Sequence, residues 1–201
     1  MTNLARPSAP ASFITHPEEL PPVPLRAGPN NPPPAPDEIC AMDAGELSSA
    51  IHAKHVSCVD VMQAYLNRID LVNPGYNALV ALAAPETLIA QAQACDAELA
   101  AGKSRGWMHG MPQAPKDLSP AAGFAFTSGS PLMATLVPAN DAEIVARVRQ
   151  DGAIIIGKSN TPEFGLGSHT FNDVYGVTRN ALNPALTAGG SSGGAAVALA
   201  L

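Results

Sequence analysis

The sequence predicts an α/β protein, on three observations. From Asp43 to Gly102 apolar residues recur at helical intervals, whereas after Gly106 glycines and prolines break the chain into short segments. In that second part a helical pattern runs straight into Ala153-Ile154-Ile155-Ile156, a β-branched run that suits a strand buried on both faces. Helix followed by buried strand implies helices packed on a sheet.

The elements follow in chain order. Residues 1–37 are dense in proline, including Pro21-Pro22 and Pro32-Pro33-Pro34, which removes amide donors and argues against regular helix or strand. They read as an extended arm or linker ahead of a domain over 38–201. A polyproline ligand for a partner is the sharper alternative, and passive packing or disorder is favoured. Asp43-x-x-Glu46 has the spacing of a capping box, and Leu47, Ala50 and Ile51 make one stripe behind it. Ser57-x-x-Asp60 opens a second helix, with Val61, Tyr65, Ile69 and Val72 on one face until Asn73-Pro74-Gly75 stops it. Pro85 opens a third, on which Leu88, Ala92, Cys95 and Leu99 share a face and which Gly102 terminates. His52 and His55 could share a metal at their spacing, but no third ligand is evident and solvated histidines are the preferred reading. Asn140-x-x-Glu143 caps a fourth helix whose buried edge is Ile144, Val145 and Val148, ending at Gly152.

Composition narrows the function. A chain of 201 residues that is 46% hydrophobic and 14% charged is globular, and a net charge of −6 offers no basic surface, so nucleic acid is not expected as a partner. No apolar run approaches the roughly 18 residues of a spanning helix, and no signal peptide is evident, so no membrane association is expected and the cytoplasm is the expected compartment. Cys40, Cys58 and Cys95 have no paired spacing, which speaks against a disulfide framework and against zinc.

Three segments could carry chemistry. Gly152-Ala-Ile-Ile-Ile-Gly157-Lys158-Ser159 fits the phosphate-loop pattern and offers a nucleotide-binding alternative. Its context is reversed: a phosphate loop needs a strand before its first glycine and a helix after its lysine, and here a helix comes first and Pro162 follows. Thr187-Ala188-Gly189-Gly190-Ser191-Ser192-Gly193-Gly194 sets two hydroxyls among four glycines and leads into the helix-forming run Ala195–Leu201. Glycines admit close backbone approach and a helix start presents free amides, a combination that suits acyl transfer; a flexible linker is the bland alternative. Lys116 stands among apolar and imino residues, where burial would favour a neutral amine able to act as a base. A solvated lysine beside its ion-pair partner Asp117 is the competing reading.

Taken together these segments resemble the amidase signature family of Ser-Ser-Lys hydrolases, in matching order over most of residues 43–201. The motifs are His109-Gly110-Met111-Pro112 to Lys116-Asp117, Thr127-Ser128-Gly129-Ser130, Gly157-Lys158-Ser159-Asn160-Thr161-Pro162-Glu163-Phe164, Tyr175-Gly176-Val177-Thr178-Arg179-Asn180, Asn183-Pro184 and the Gly-Gly-Ser-Ser-Gly-Gly loop. Gln113 and Pro115 depart from the small or β-branched residues usual there. The resemblance implies a mixed β-sheet covered by helices and the hydrolysis of a small-molecule amide substrate through an acyl-enzyme, with no cofactor and no metal. It implies Lys116 as the ultimate base and Ser191, after a cis peptide bond, as proton relay, with Gly189, Gly190, Ser192 and Gly193 supporting the site. A homodimer of the full-length protein stays open.

The resemblance also implies that the nucleophilic serine and its oxyanion amides lie downstream of Leu201, so residues 38–201 would be the N-terminal part of an amidase domain, incomplete at the C-terminus. Ala195–Leu201 is short for an isolated helix, which needs about 12 to 15 residues, and lacks a C-cap. The expectation is that this chain alone has no turnover and folds poorly. A noncatalytic amidase-like binding module is the third alternative.

Overall fold

The computed structural model describes residues 34–201; of the arm expected over residues 1–37, residues 1–33 lie outside them. Helix α1 (Pro36–Ala41) begins with proline in its first turn, inside the stretch expected to be extended through residue 37. Proline is at home there, because a first-turn amide has no intrahelical partner to lose. Helix α2 (Ala44–His52) has the expected capping box, with Asp43 Oδ1 accepting from the Glu46 amide at 2.9 Å and Glu46 Oε2 from the Asp43 amide at 2.8 Å.

Helix α3 (Cys58–Tyr76) starts at the Ser57–Asp60 box and is tied at the same end to α4 (Pro85–Ala100), whose Asp96 accepts from the amides of Cys58 and Val59 at 2.7 and 3.1 Å. That carboxylate complements the positive end of the helix. Contrary to the expected stop at Asn73-Pro74-Gly75, α3 continues through Pro74 and ends at Asn77, which adopts the left-handed cap conformation. The bond that Pro74 cannot make would go to the carbonyl of Asp70, and both residues lie on the exposed side of the helix, where one missing bond does not end it. Asn73 then organises the exit, its side chain accepting from Ala78 and Leu79 amides and donating to the Leu79 carbonyl.

The strands are short. β1 (Leu79–Val80) runs antiparallel to β4 (Lys158–Ser159), and β2 (Pro112–Gln113) runs parallel to β3 (Ile154–Ile155). Past β2 the chain stays extended, and Lys116 bridges Ser159 in parallel. Pro115 costs this pairing nothing, because it supplies only its carbonyl, to the Ser159 amide at 3.0 Å. The β-branched run is buried on both faces, as expected: Ile154 and Ile156 join the large core with Ile51, Met62 and Leu88, while Ile155 packs with Ala121 and Val145.

That second face is closed by α5 (Glu143–Gln150). Its N-cap is Ala142, not Asn140, and Asn140 makes no cap. The first turn is placed by the Ala142 amide donating to the Pro120 carbonyl at 2.8 Å. The helix is also rotated from the expected edge, with Val145 buried and Ile144 exposed. Two further elements frame the site: the hairpin of β5 (Phe171–Asn172) and β6 (Gly176–Val177), and α6 (Gly193–Ala200).

Candidate active site

Lys116 is held by its backbone. The amides on either side of the Lys116–Ser159 bridge are both paired, Ser159 N with the Pro115 carbonyl and Asp117 N with the Ser159 carbonyl at 3.1 Å. Its half-buried side chain spans to the glycine loop, where Nζ lies 2.8 Å from Ser191 Oγ and 3.0 Å from Ser192 Oγ. Among the described residues no carboxylate forms an ion pair with it. Burial is the cause that pushes its amine below the ordinary lysine value of 10.5, which favours the neutral form. The peptide bond between Gly190 and Ser191 is cis.

The loop can take this shape because glycine stands where a side chain would collide. A Cβ on Gly193 would lie 2.3 Å from Thr170 Oγ1, and one on Gly194 would lie 2.3 Å from the Asn160 amide nitrogen. Gly194 in turn donates its amide to the Asn160 carbonyl, so the first turn of α6 is sewn to the chain leaving β4. Thr161 Oγ1 donates to the Ser191 carbonyl at 3.3 Å. Asn160 and Asn172, both buried, are bonded side chain to side chain at 2.8 Å, and Asn160 Nδ2 also reaches Thr178 Oγ1 at 3.0 Å. Buried polar groups satisfied in this way fix one arrangement of the backbone.

Asp117 is not the partner of Lys116. Neighbouring residues of an extended chain point to opposite sides. Asp117 is buried and accepts from Thr127 Oγ1 at 2.6 Å, with Lys158 Nζ 3.7 Å away. Lys158 is itself fully buried, bonded to the Ser119 carbonyl and 5.7 Å from the centre of the Phe126 ring. Burial lowers its amine's proton affinity and the Asp117 carboxylate opposes that shift. The phosphate-loop alternative thus lacks its geometry: Gly152–Ser159 forms two strands with no helix behind them, and its lysine is spent inside the protein.

Other candidates sort out on contacts. His52 bonds to the Ser48 carbonyl and Ser104 Oγ, and no group of three or more metal-ligating side chains occurs among the described residues. Cys58 and Cys95 are buried free thiols, and burial pushes the half-buried Cys40 thiol up to about 11. Ser130 Oγ is turned to the Leu132 amide. Among the described residues no helix is long and apolar enough to cross a membrane.

Thr170 and Asn172 were not singled out from the sequence. The available signal is an inverted strand pattern, in which Thr170, Asn172 and Thr178 are buried while Phe171 and Val177 between them face outward. Polar residues on the inward side of a strand are an error of patterning unless something specific receives them.

Fold and loop together define a class, a mixed α/β chain in which a lysine on an extended segment faces a glycine-flanked serine pair. Residues 60–201 match the Amidase family, and the chain belongs to the amidase signature family. It is 41% identical over 157 residues to a glutamyl-tRNA(Gln) amidotransferase subunit of Acidothermus cellulolyticus, covering 78% of this chain and 31% of that protein. Among solved structures it resembles an amidase (TM-score 0.71, 35% identity, 79% of this chain and 36% of the other). It also resembles a fatty acid amide hydrolase (TM-score 0.75, 25% identity, 80% and 28%). The chain thus spans about a third of the length of the relatives it matches.

Proposed function

We propose that this chain supplies the base and the proton relay of an amide-hydrolysing site, with Lys116 as the base and Ser191 as the relay. The observation that carries the reading is the 2.8 Å contact between Lys116 Nζ and Ser191 Oγ. A neutral Lys116 can accept the Ser191 hydroxyl proton as Ser191 takes one from a nucleophile attacking the amide carbon, and the chain of transfers reverses when the amine leaves. Gly189, Gly190, Ser192 and Gly193 shape the loop that carries the relay. The nucleophile is assigned to none of the serines present, and the 201-residue chain alone is expected to show no turnover.

The substrate is a small-molecule amide in the cytoplasm, and the step needs neither metal nor organic cofactor. The similarity to an amidotransferase component favours, as a second reading, an amide whose nitrogen is handed to another acceptor. In the protein that carries this chain, Lys116→Ala and Ser191→Ala should each abolish hydrolysis of a simple aryl amide. Full activity in either variant would sink the assignment. The activity should rise with pH through a midpoint below 10.5, because the working form of Lys116 is the deprotonated one.

A further inference from the structure

The serine loop is held from a side that Lys116 does not touch. Thr170 is fully buried, and its Oγ1 donates to the Gly189 carbonyl at 2.7 Å while accepting from the Gly193 amide at 3.0 Å. The two bonds bracket Gly190, Ser191 and Ser192. A hydroxyl can donate and accept at once, so one side chain satisfies a carbonyl and an amide that face each other across the loop. Thr170 is itself anchored. Its carbonyl accepts from the Thr178 amide at 2.9 Å, the Thr178 carbonyl accepts from Ala188 at 3.0 Å, and Thr178 Oγ1 donates to the Asn77 carbonyl at 2.7 Å. The loop entrance, the staple across it and the cap of α3 are therefore one connected frame.

We propose that Thr170 is a positioning residue for Ser191, setting by its paired bonds to Gly189 and Gly193 where the Ser191 hydroxyl stands relative to Lys116. The inference rests on the roles given to Lys116 and Ser191 above, and its test requires no hydrolysis. In the protein that carries this chain, Thr170→Val keeps the shape of the side chain and removes the hydroxyl, while Thr170→Ser keeps the hydroxyl. Amide hydrogen exchange at Gly193 is compared with exchange at Ile154 and Ile156, whose amides bond to Met111 and Gln113 in the sheet. The nuclear Overhauser contact between the Lys116 and Ser191 side chains is read alongside.

Thr170→Val should speed exchange at Gly193 by about tenfold to a hundredfold, leave Ile154 and Ile156 near their original rates, and weaken the Lys116–Ser191 contact. Thr170→Ser should restore both the Gly193 rate and the Lys116–Ser191 contact. Unchanged exchange at Gly193 overturns the proposal. So does equal acceleration in the sheet, a Thr170→Val chain that does not fold, or a Thr170→Ser chain that behaves as the valine does, since each makes the role one of general stability or of shape. Full hydrolysis by Lys116→Ala in the protein that carries this chain would remove the hydrolytic reading and leave the staple standing, so the two failures are distinguishable.

Discussion

The helical layer of α1 to α4 and the loops around Lys116 bury their side chains by opposite means. In the first, Ile51, Met62 and Leu88 pack in a core that asks only for apolar volume. In the second, Asp117, Lys158, Asn160, Asn172 and Thr170 are equally buried and each is held by a named partner. Apolar packing is forgiving of identity and punishes lost volume. A buried polar network punishes a lost partner even where volume is unchanged, because an unpaired group keeps its full desolvation penalty. The layer that tolerates exchange carries the scaffold, and the one that does not carries the lysine and the serines.

The comparison is sharpened most by Asp117→Asn, which changes almost no volume. It leaves the Lys158 ammonium buried without its counter-charge and should destabilise the protein that carries this chain by about 3 to 5 kcal/mol in urea unfolding. Replacing the pair together by apolar residues, as in Asp117→Leu with Lys158→Met, should recover only part of that loss, because the Thr127 hydroxyl and the Ser119 carbonyl then lose their partners as well. A single variant as stable as the original chain would break the comparison on the polar side. Leu88→Ala, at a fully buried position of α4, should cost about 2 to 5 kcal/mol with the larger values if the cavity stays open, while Leu88→Met should cost under about 1.5. A methionine as damaging as the alanine would break it on the apolar side. The smallest effect belongs to neither layer. Arg147→Ala removes an exposed i,i+4 ion pair with Glu143 and should move stability by no more than about 0.5 kcal/mol.

Legibility in the sequence followed the same division. Helix starts were readable at Asp43 and Ser57 because a capping box is a local contract between residues three apart. The isoleucine strand was readable because a run apolar on both sides has few other places to go. Local signals failed where the third dimension outvoted them. Pro74 did not stop α3, since the one bond it lacks lies on the exposed side of that helix, and Asn140 did not cap α5, since a bond to Pro120 placed that helix two residues later. Ile144 was expected on the inner edge and faces out, because the turn of α5 is set by Val145 packing on Ile155.

By itself, the sequence determined the α/β class and the glycine loop, because each is written in periodicity or a contiguous motif, and the order of its motifs gave the family resemblance, which in turn implied that Lys116 and Ser191 meet. Only the tertiary structure decided the pairings. Asp117 turned from its neighbour Lys116 to Lys158, and Thr170 came to bridge two glycines some twenty positions away. Adjacent residues on an extended chain point apart, and a hydroxyl finds its donor and acceptor through space. Which buried polar group answers which is therefore set by how strands and turns are stacked, and no spacing along the chain records it.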